Sequence, residues 1–175
     1  AGIYSLGLAV QGRLVAKENR RNAEITVVID RSGSMADEGR LDYVKKGLLR
    51  MLGELKTGDM IHLVMFDDQV CTPVENFVIG RDDQKQLTRA INALTPGNST
   101  DLHRGLSSGY DLADRHYQAE YSNRVLLITD ALTNTGVTDE QMISMISKYY
   151  DKRRIRLSGI GVGREFNDSL LDKLT

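Results

Sequence analysis

Glu24–Met35 reads Glu-Ile-Thr-Val-Val-Ile-Asp-Arg-Ser-Gly-Ser-Met, and three short oxygen side chains within it, Asp30, Ser32 and Ser34, stand two residues apart. Gly33, between the serines, frees the backbone for a tight fold, so all three can turn toward one point. A carboxylate and two hydroxyls are hard donors, suited to Mg²⁺, Mn²⁺ or Ca²⁺ rather than zinc or copper. The same five residues also make an ordinary Asx or serine turn after a strand, and the pentapeptide alone does not separate the two readings.

These residues need a strand to carry them. Ile25–Asp30 is a near-continuous β-branched run, the composition of a strand buried on both faces. It ends at a charge that is costly to hide unless paired or bound to a cation. Val125–Asp130 mirrors it, with four apolar residues, a threonine and then an aspartate. Met60–Phe66 is a further apolar strand, and Ile155–Val162 another. Gln69–Phe77 pairs back on Met60–Phe66 through an Asp67-Asp68 turn, and Pro73 confines it to a sheet edge.

Between the strands lie helical patterns. Leu41, Val44, Leu48, Met51/Leu52 and Leu55 share one face, with a stop at Thr57-Gly58. Asp82 is placed to cap a helix carrying Leu87, Ile91 and Leu94. A helix from Ser99 or Thr100 carries Leu102, Leu106, Tyr110, Ala113 and Tyr117. Thr138 and Gln141 form a capping box ahead of Met142, Ile146 and Tyr149, and Asn167–Leu174 is a short helix. Met35 and the Met142/Met145 pair read as core fillers.

Strand–helix alternation of this kind predicts an α/β fold: a doubly wound, mainly parallel sheet with one antiparallel edge strand and helices on both faces. Ligands of such sheets bind at the carboxyl ends of strands, where the strand order reverses. If the strands of Asp30 and Asp130 are neighbours there, both carboxylates face one crevice. Thr100, after the Pro96–Ser99 loop, begins a helix on the same side. Asp30, Ser32, Ser34, Thr100 and Asp130 then converge.

Those residues carry a resemblance. Asp30-Arg-Ser-Gly-Ser34 is similar to the Asp-x-Ser-x-Ser signature of the von Willebrand factor type A domain. Asn98-Ser99-Thr100 resembles its threonine loop, and Ile128-Thr129-Asp130 its second aspartate strand. Together they resemble the family's metal-ion-dependent adhesion site. The resemblance runs from about Glu24 to the C-terminus. It implies a Rossmann-like fold over 23–175, direct metal contact from Ser32, Ser34 and Thr100, and Asp30 and Asp130 close or bridged by water. One coordination position is left for an acidic side chain or water. Ala131 stands where the family often has glycine, and the chain stops before the family's usual final strand. Residues 1–22 read as a β-rich flank and charged connector, similar to the segment preceding this domain in some bacterial proteins of the family.

Other acids near the crevice are candidates for selecting a ligand: Asp37 and Glu38 past the serine loop, Asp101 after Thr100, and Asp67 at the end of its strand. The simpler account is a favourable charge at a helix start for the first three and a hairpin turn for Asp67 and Asp68.

Composition narrows the function. With 175 residues, 41% of them hydrophobic, the chain suits one domain with a sizeable core. A net charge of −1 gives no reason to expect nucleic acid or an anionic membrane as partner, and no apolar run is long enough to span a bilayer. Lys152-Arg153-Arg154 fits the C-terminal end of a helix. One cysteine, Cys71, excludes an internal disulfide and a multi-cysteine zinc site, and His62, His103 and His116 show no ligand spacing. Without a charged-then-apolar leader, the chain looks like an excised or processed fragment.

The leading expectation is therefore a non-enzymatic module in which a divalent cation, Mg²⁺ first, captures an Asp or Glu side chain of a protein partner, at a cell surface or in a periplasm rather than in cytoplasm. A phosphoryl-transfer enzyme or nucleotide binder is the second reading, but the chain has no Gly-x-x-x-x-Gly-Lys-Ser/Thr loop, no Gly-x-Gly-x-x-Gly opening a helix and no lysine at a strand end in the crevice. The third is a structural domain with a vestigial site.

Overall fold

The computed structural model describes residues 16–130 and 137–163, apart from the side chains of 17 and 137–140. Five strands form one sheet: β1 (Ala23–Asp30), β2 (Met60–Phe66), β3 (Val70–Val78), β4 (Ser122–Thr129) and β5 (Ile155–Gly161). Their order is β3-β2-β1-β4-β5. β1 pairs parallel with both β2 and β4, β5 pairs parallel with β4, and β3 runs antiparallel along the edge of β2. The chain winds outward from β1 in both directions, so the order reverses at the β1–β4 boundary. The doubly wound fold is the one the alternation predicts.

Strand periodicity divides the core. Val27, Val28 and Ile29 have no exposure, yet they serve opposite faces. Val27 and Ile29 join Leu41, Val44, Leu48 and Leu52 of α1 (Arg40–Glu54) and Leu87 and Ile91 of α2 (Gln84–Asn92). Val28 joins Val64, Phe66 and the Leu102, Leu106 and Tyr110 face of α3 (Leu102–Arg115), along with Ile143 of α4 (Val137–Asp151). β3 is largely exposed, with Pro73 where it costs no ladder bond.

Several local expectations are corrected. α1 ends at Glu54, ahead of Thr57-Gly58, because Leu55 is already extended. Gly58, at φ +90, instead turns the chain into β2, its N–H donating to the Ile79 carbonyl at 2.9 Å. Asp83, not Asp82, caps α2, accepting from the Lys85 N–H at 3.0 Å. Asp82 accepts from the Val78 N–H and pairs with Arg81. α3 starts at Leu102, later than Ser99 or Thr100, with Asp101 as its cap. On α4 the inward side is Met142, Ile143, Ile146 and Tyr150, whereas Met145 and Tyr149 are 72% and 57% exposed, so Met145 is no core filler. Met35 is fully buried, as expected. The strands expected before residue 16, the helix at Asn167–Leu174, and Ala131 lie outside the described residues.

Candidate functional site

The carboxyl ends of β1 and β4 lie side by side where the strand order reverses, the place where sheets of this kind bind ligands. Asp30, the last residue of β1, has no exposure, and its two oxygens are held from two chain segments. Oδ1 accepts from the Ser32 N–H at 2.8 Å, fixing the Asx turn. Oδ2 accepts from the Thr129 hydroxyl at 2.5 Å, across the β1–β4 boundary. The two serine hydroxyls beyond it lie 3.1 Å apart, Ser32 buried and Ser34 exposed. The turn of the plainer reading is present, and the two hydroxyls lie together just beyond it.

Asp130 follows β4 directly and is 5% exposed. Burial pushes the Asp30 carboxyl up from its ordinary value. The Thr129 and Ser32 hydroxyls and the Ser32 N–H pull it down, and the charge of Asp130 adds to the upward push. Among the described residues no three His, Cys, Asp or Glu gather to hold a metal. Two carboxylates need hydroxyls to complete a cation site here, and the oxygen-only donor set fits a hard divalent ion.

The Gly97–Asp101 loop is tied to this turn through its backbone. Gly97 N–H donates to the Arg31 carbonyl at 2.5 Å, Gly33 N–H to the Asn98 carbonyl at 2.7 Å, and Asp101 N–H to the Asp67 carbonyl at 2.8 Å. Gly97 is required at this closure, since a Cβ there would come within 2.0 Å of Asp67 Oδ2. Thr100 is an exposed residue of this loop, two positions after Asn98, whose carbonyl accepts from Gly33 of the serine turn.

The remaining acids sort by their contacts. Asp67 is buried, pairs with Arg31 at 2.9 Å and accepts from the Gln69 N–H at 2.8 Å. The Gln69 bond leads the causes that hold its carboxyl below the ordinary range. It closes the β2–β3 turn, as the hairpin account expects, and also anchors the crevice. Asp101 accepts from the Arg104 N–H at 2.9 Å as the α3 cap. Asp37 and Glu38 are exposed and lie in the Gly33–Gly39 segment just ahead of α1 rather than in its first turn.

Two participants escaped the sequence reading. Arg31 is the unconstrained position of the pentapeptide, and Arg40 opens α1. The Arg40 Nη1 donates to Asp130 Oδ2 at 2.7 Å and to the Ser34 carbonyl at 3.3 Å. Among the described residues two guanidinium groups stand at these strand ends, each against an aspartate. The one available signal was the excess of acids expected at a single crevice, which calls for positive partners.

A Rossmann-like sheet with an aspartate–serine turn at its switch point defines the class, and the family model for the von Willebrand factor type A domain matches residues 25–132. The chain belongs to that family. It is similar to the uncharacterized protein YfbK of Escherichia coli K12, 28% identical over 155 residues, 87% of this chain and 26% of that protein. This chain thus spans about a quarter of that relative's length. Among solved structures it resembles the manganese-loaded TRAP protein of Plasmodium vivax, with a TM-score of 0.70, 19% identity, and 88% and 62% of the two chains covered. It also resembles proximal thread matrix protein 1 of the mussel byssus in a form with a zinc-occupied MIDAS motif, with a TM-score of 0.65, 20% identity, and 89% and 39% covered. At these identities the structural likenesses establish the fold.

Proposed function

We propose that the domain is a binding module that captures an Asp or Glu side chain of a protein partner through a divalent cation held by Asp30, Ser32, Ser34, Thr100 and Asp130. Asp30 carries the reading: a carboxylate with no exposure, pressed by a second carboxylate at the switch point, with hydroxyls as its side-chain partners. A buried pair of acids is costly without positive charge nearby. Hard oxygen donors favour Mg²⁺, with Mn²⁺ or Ca²⁺ as substitutes. A bound ion would supply an electrophilic centre that two carboxylates merely neutralise and weakly donating hydroxyls leave unsaturated.

The chain's own part is positional. The Ser32 N–H and the Thr129 hydroxyl fix the orientation of Asp30, and backbone bonds at Gly97, Asn98 and Asp101 tie the loop that carries Thr100 to the segments around the serine turn. The manganese-loaded and zinc-occupied relatives support a divalent ion without favouring one. Binding is favoured over catalysis because hydroxyls and guanidinium groups engage the crevice acids, leaving no arrangement of nucleophile and base among the described residues. No helix of the described residues is long and apolar enough to cross a membrane. Asp37 and Glu38, exposed a few residues after Ser34, are the acids proposed to influence which partner docks. An extracytoplasmic setting, at a cell surface or in a periplasm, is part of the same proposal.

Calorimetric titration of Mg²⁺ into the wild type and Asp30→Ala tests the reading. Binding by the wild type and loss in the variant is the expected result, and equal affinity for both removes the proposal.

A further inference from the structure

Arg40 is held in a way that points to a role at the same site, an inference that rests on the cation reading above. Glu38 and Gly39, at φ +51 and +68, are consecutive left-handed residues that turn the chain sharply into α1, and Arg40 is the first helical residue after them. Its side chain reaches the mouth of the crevice, where Nη1 alone is shared between Asp130 Oδ2 and the Ser34 carbonyl. Nε is buried without a hydrogen-bond partner. The fork therefore does not make the parallel two-pronged bond that gives arginine–carboxylate pairs their strength. Arg20 on Asp59 does make it, with Nη1 on Oδ1 and Nη2 on Oδ2.

Asp130 is thus claimed by a cation of the chain's own, through a single prong. A divalent ion at the same carboxylate would meet the guanidinium charge at close range, and the two positive groups repel. We propose that Arg40 is a tethered competitor at the cation site: its guanidinium and the divalent ion take Asp130 in turn, so residue 40 sets the apparent cation affinity. Affinity is reduced by the fraction of molecules in which Asp130 is already taken. Reciprocally, a bound ion frees the Arg40 side chain.

The test uses Mn²⁺ as probe, its free concentration read by electron paramagnetic resonance, with wild type, Arg40→Gln and Arg40→Lys. Arg40→Gln is expected to tighten Mn²⁺ binding by about tenfold, the factor for a carboxylate left open about a tenth of the time. Arg40→Lys, which keeps the charge, is expected to fall between the two. In the wild type, saturating Mg²⁺ should shift the Arg40 Nε–H resonance in a ¹⁵N-correlated spectrum. Equal or weaker Mn²⁺ binding by a folded Arg40→Gln overturns the competitor role. Should Arg40→Gln fail to fold, an Arg40 resonance unmoved by Mg²⁺ overturns it instead. Absence of Mn²⁺ binding in all three proteins overturns the cation reading itself.

Discussion

The Thr129 hydroxyl donates to the Asp30 carboxylate at 2.5 Å, joining the ends of β4 and β1 at the point where the strand order reverses. Both side chains have no exposure, so water cannot replace either partner. Thr129→Val keeps the shape and removes the donor, leaving a buried carboxylate oxygen short of a bond. The expected cost is about 1–3 kcal/mol in urea unfolding. A change within about 0.5 kcal/mol, the range of ordinary surface substitutions, would show that the bond contributes nothing.

Close packing of α3 on the sheet depends on its glycines. A Cβ at Gly105 would come within 2.3 Å of the Phe66 ring, a buried side chain at the end of β2. Gly105→Ala is expected to destabilise by about 1–3 kcal/mol through overpacking. Gly47 is the contrast: it lies inside α1, and a Cβ there meets nothing within 4 Å. Gly47→Ala is expected to stabilise by about 0.5–1 kcal/mol from helix propensity. Midpoints moving the same way in both variants would contradict the packing argument.

Away from the crevice, Glu24 and His62 are both fully buried and face each other across β1 and β2 at 3.5 Å. The Thr26 hydroxyl donates to Glu24 at 2.7 Å, the Asn76 N–H to His62 Nδ1 at 2.9 Å, and His116, Glu75 and Arg115 stand outside them. Burial pushes the Glu24 carboxyl up to about 7, with the Thr26 bond pulling the other way. Burial, helped by the His116 charge, pushes the His62 ring down to about 4. From about pH 4.5 to 7 the folded chain keeps a Glu24 proton that the unfolded chain has released, so this group's contribution falls as pH rises. From about pH 4 to 6.5 the unfolded chain binds a His62 proton that the folded chain refuses, so that contribution rises with pH. The two offset in the wild type. Glu24→Gln removes the first, and its stability relative to wild type is expected to increase from pH 5 to pH 8 by on the order of 2–3 kcal/mol. A difference that stays constant across that range contradicts the account.

Where the chain is unambiguous about burial, its sequence was enough. Met60–Phe66 was legible to the residue because seven apolar-compatible positions in a row leave no other register. The expected site required β1 and β4, two like strands each leading to an aspartate, to be neighbours at the reversal, and they are. α4 was harder: Met142, Ile143, Met145, Ile146, Tyr149 and Tyr150 offer two overlapping apolar faces, and only packing against α3 chooses between them. Asp82 and Asp83 are equivalent as caps until the Val78 N–H claims one of them. Arg40 was invisible because its partner lies ninety positions away and an arginine opening a helix has no local signature.

Crystals soaked in Mn²⁺ and measured for anomalous scattering test the central claim most directly. The account predicts one peak in the crevice, with the Ser32, Ser34 and Thr100 hydroxyl oxygens at coordination distance, about 2–2.5 Å, and Asp30 and Asp130 beside it. A peak elsewhere, or a fully occupied crystal with none near Asp30, would contradict it.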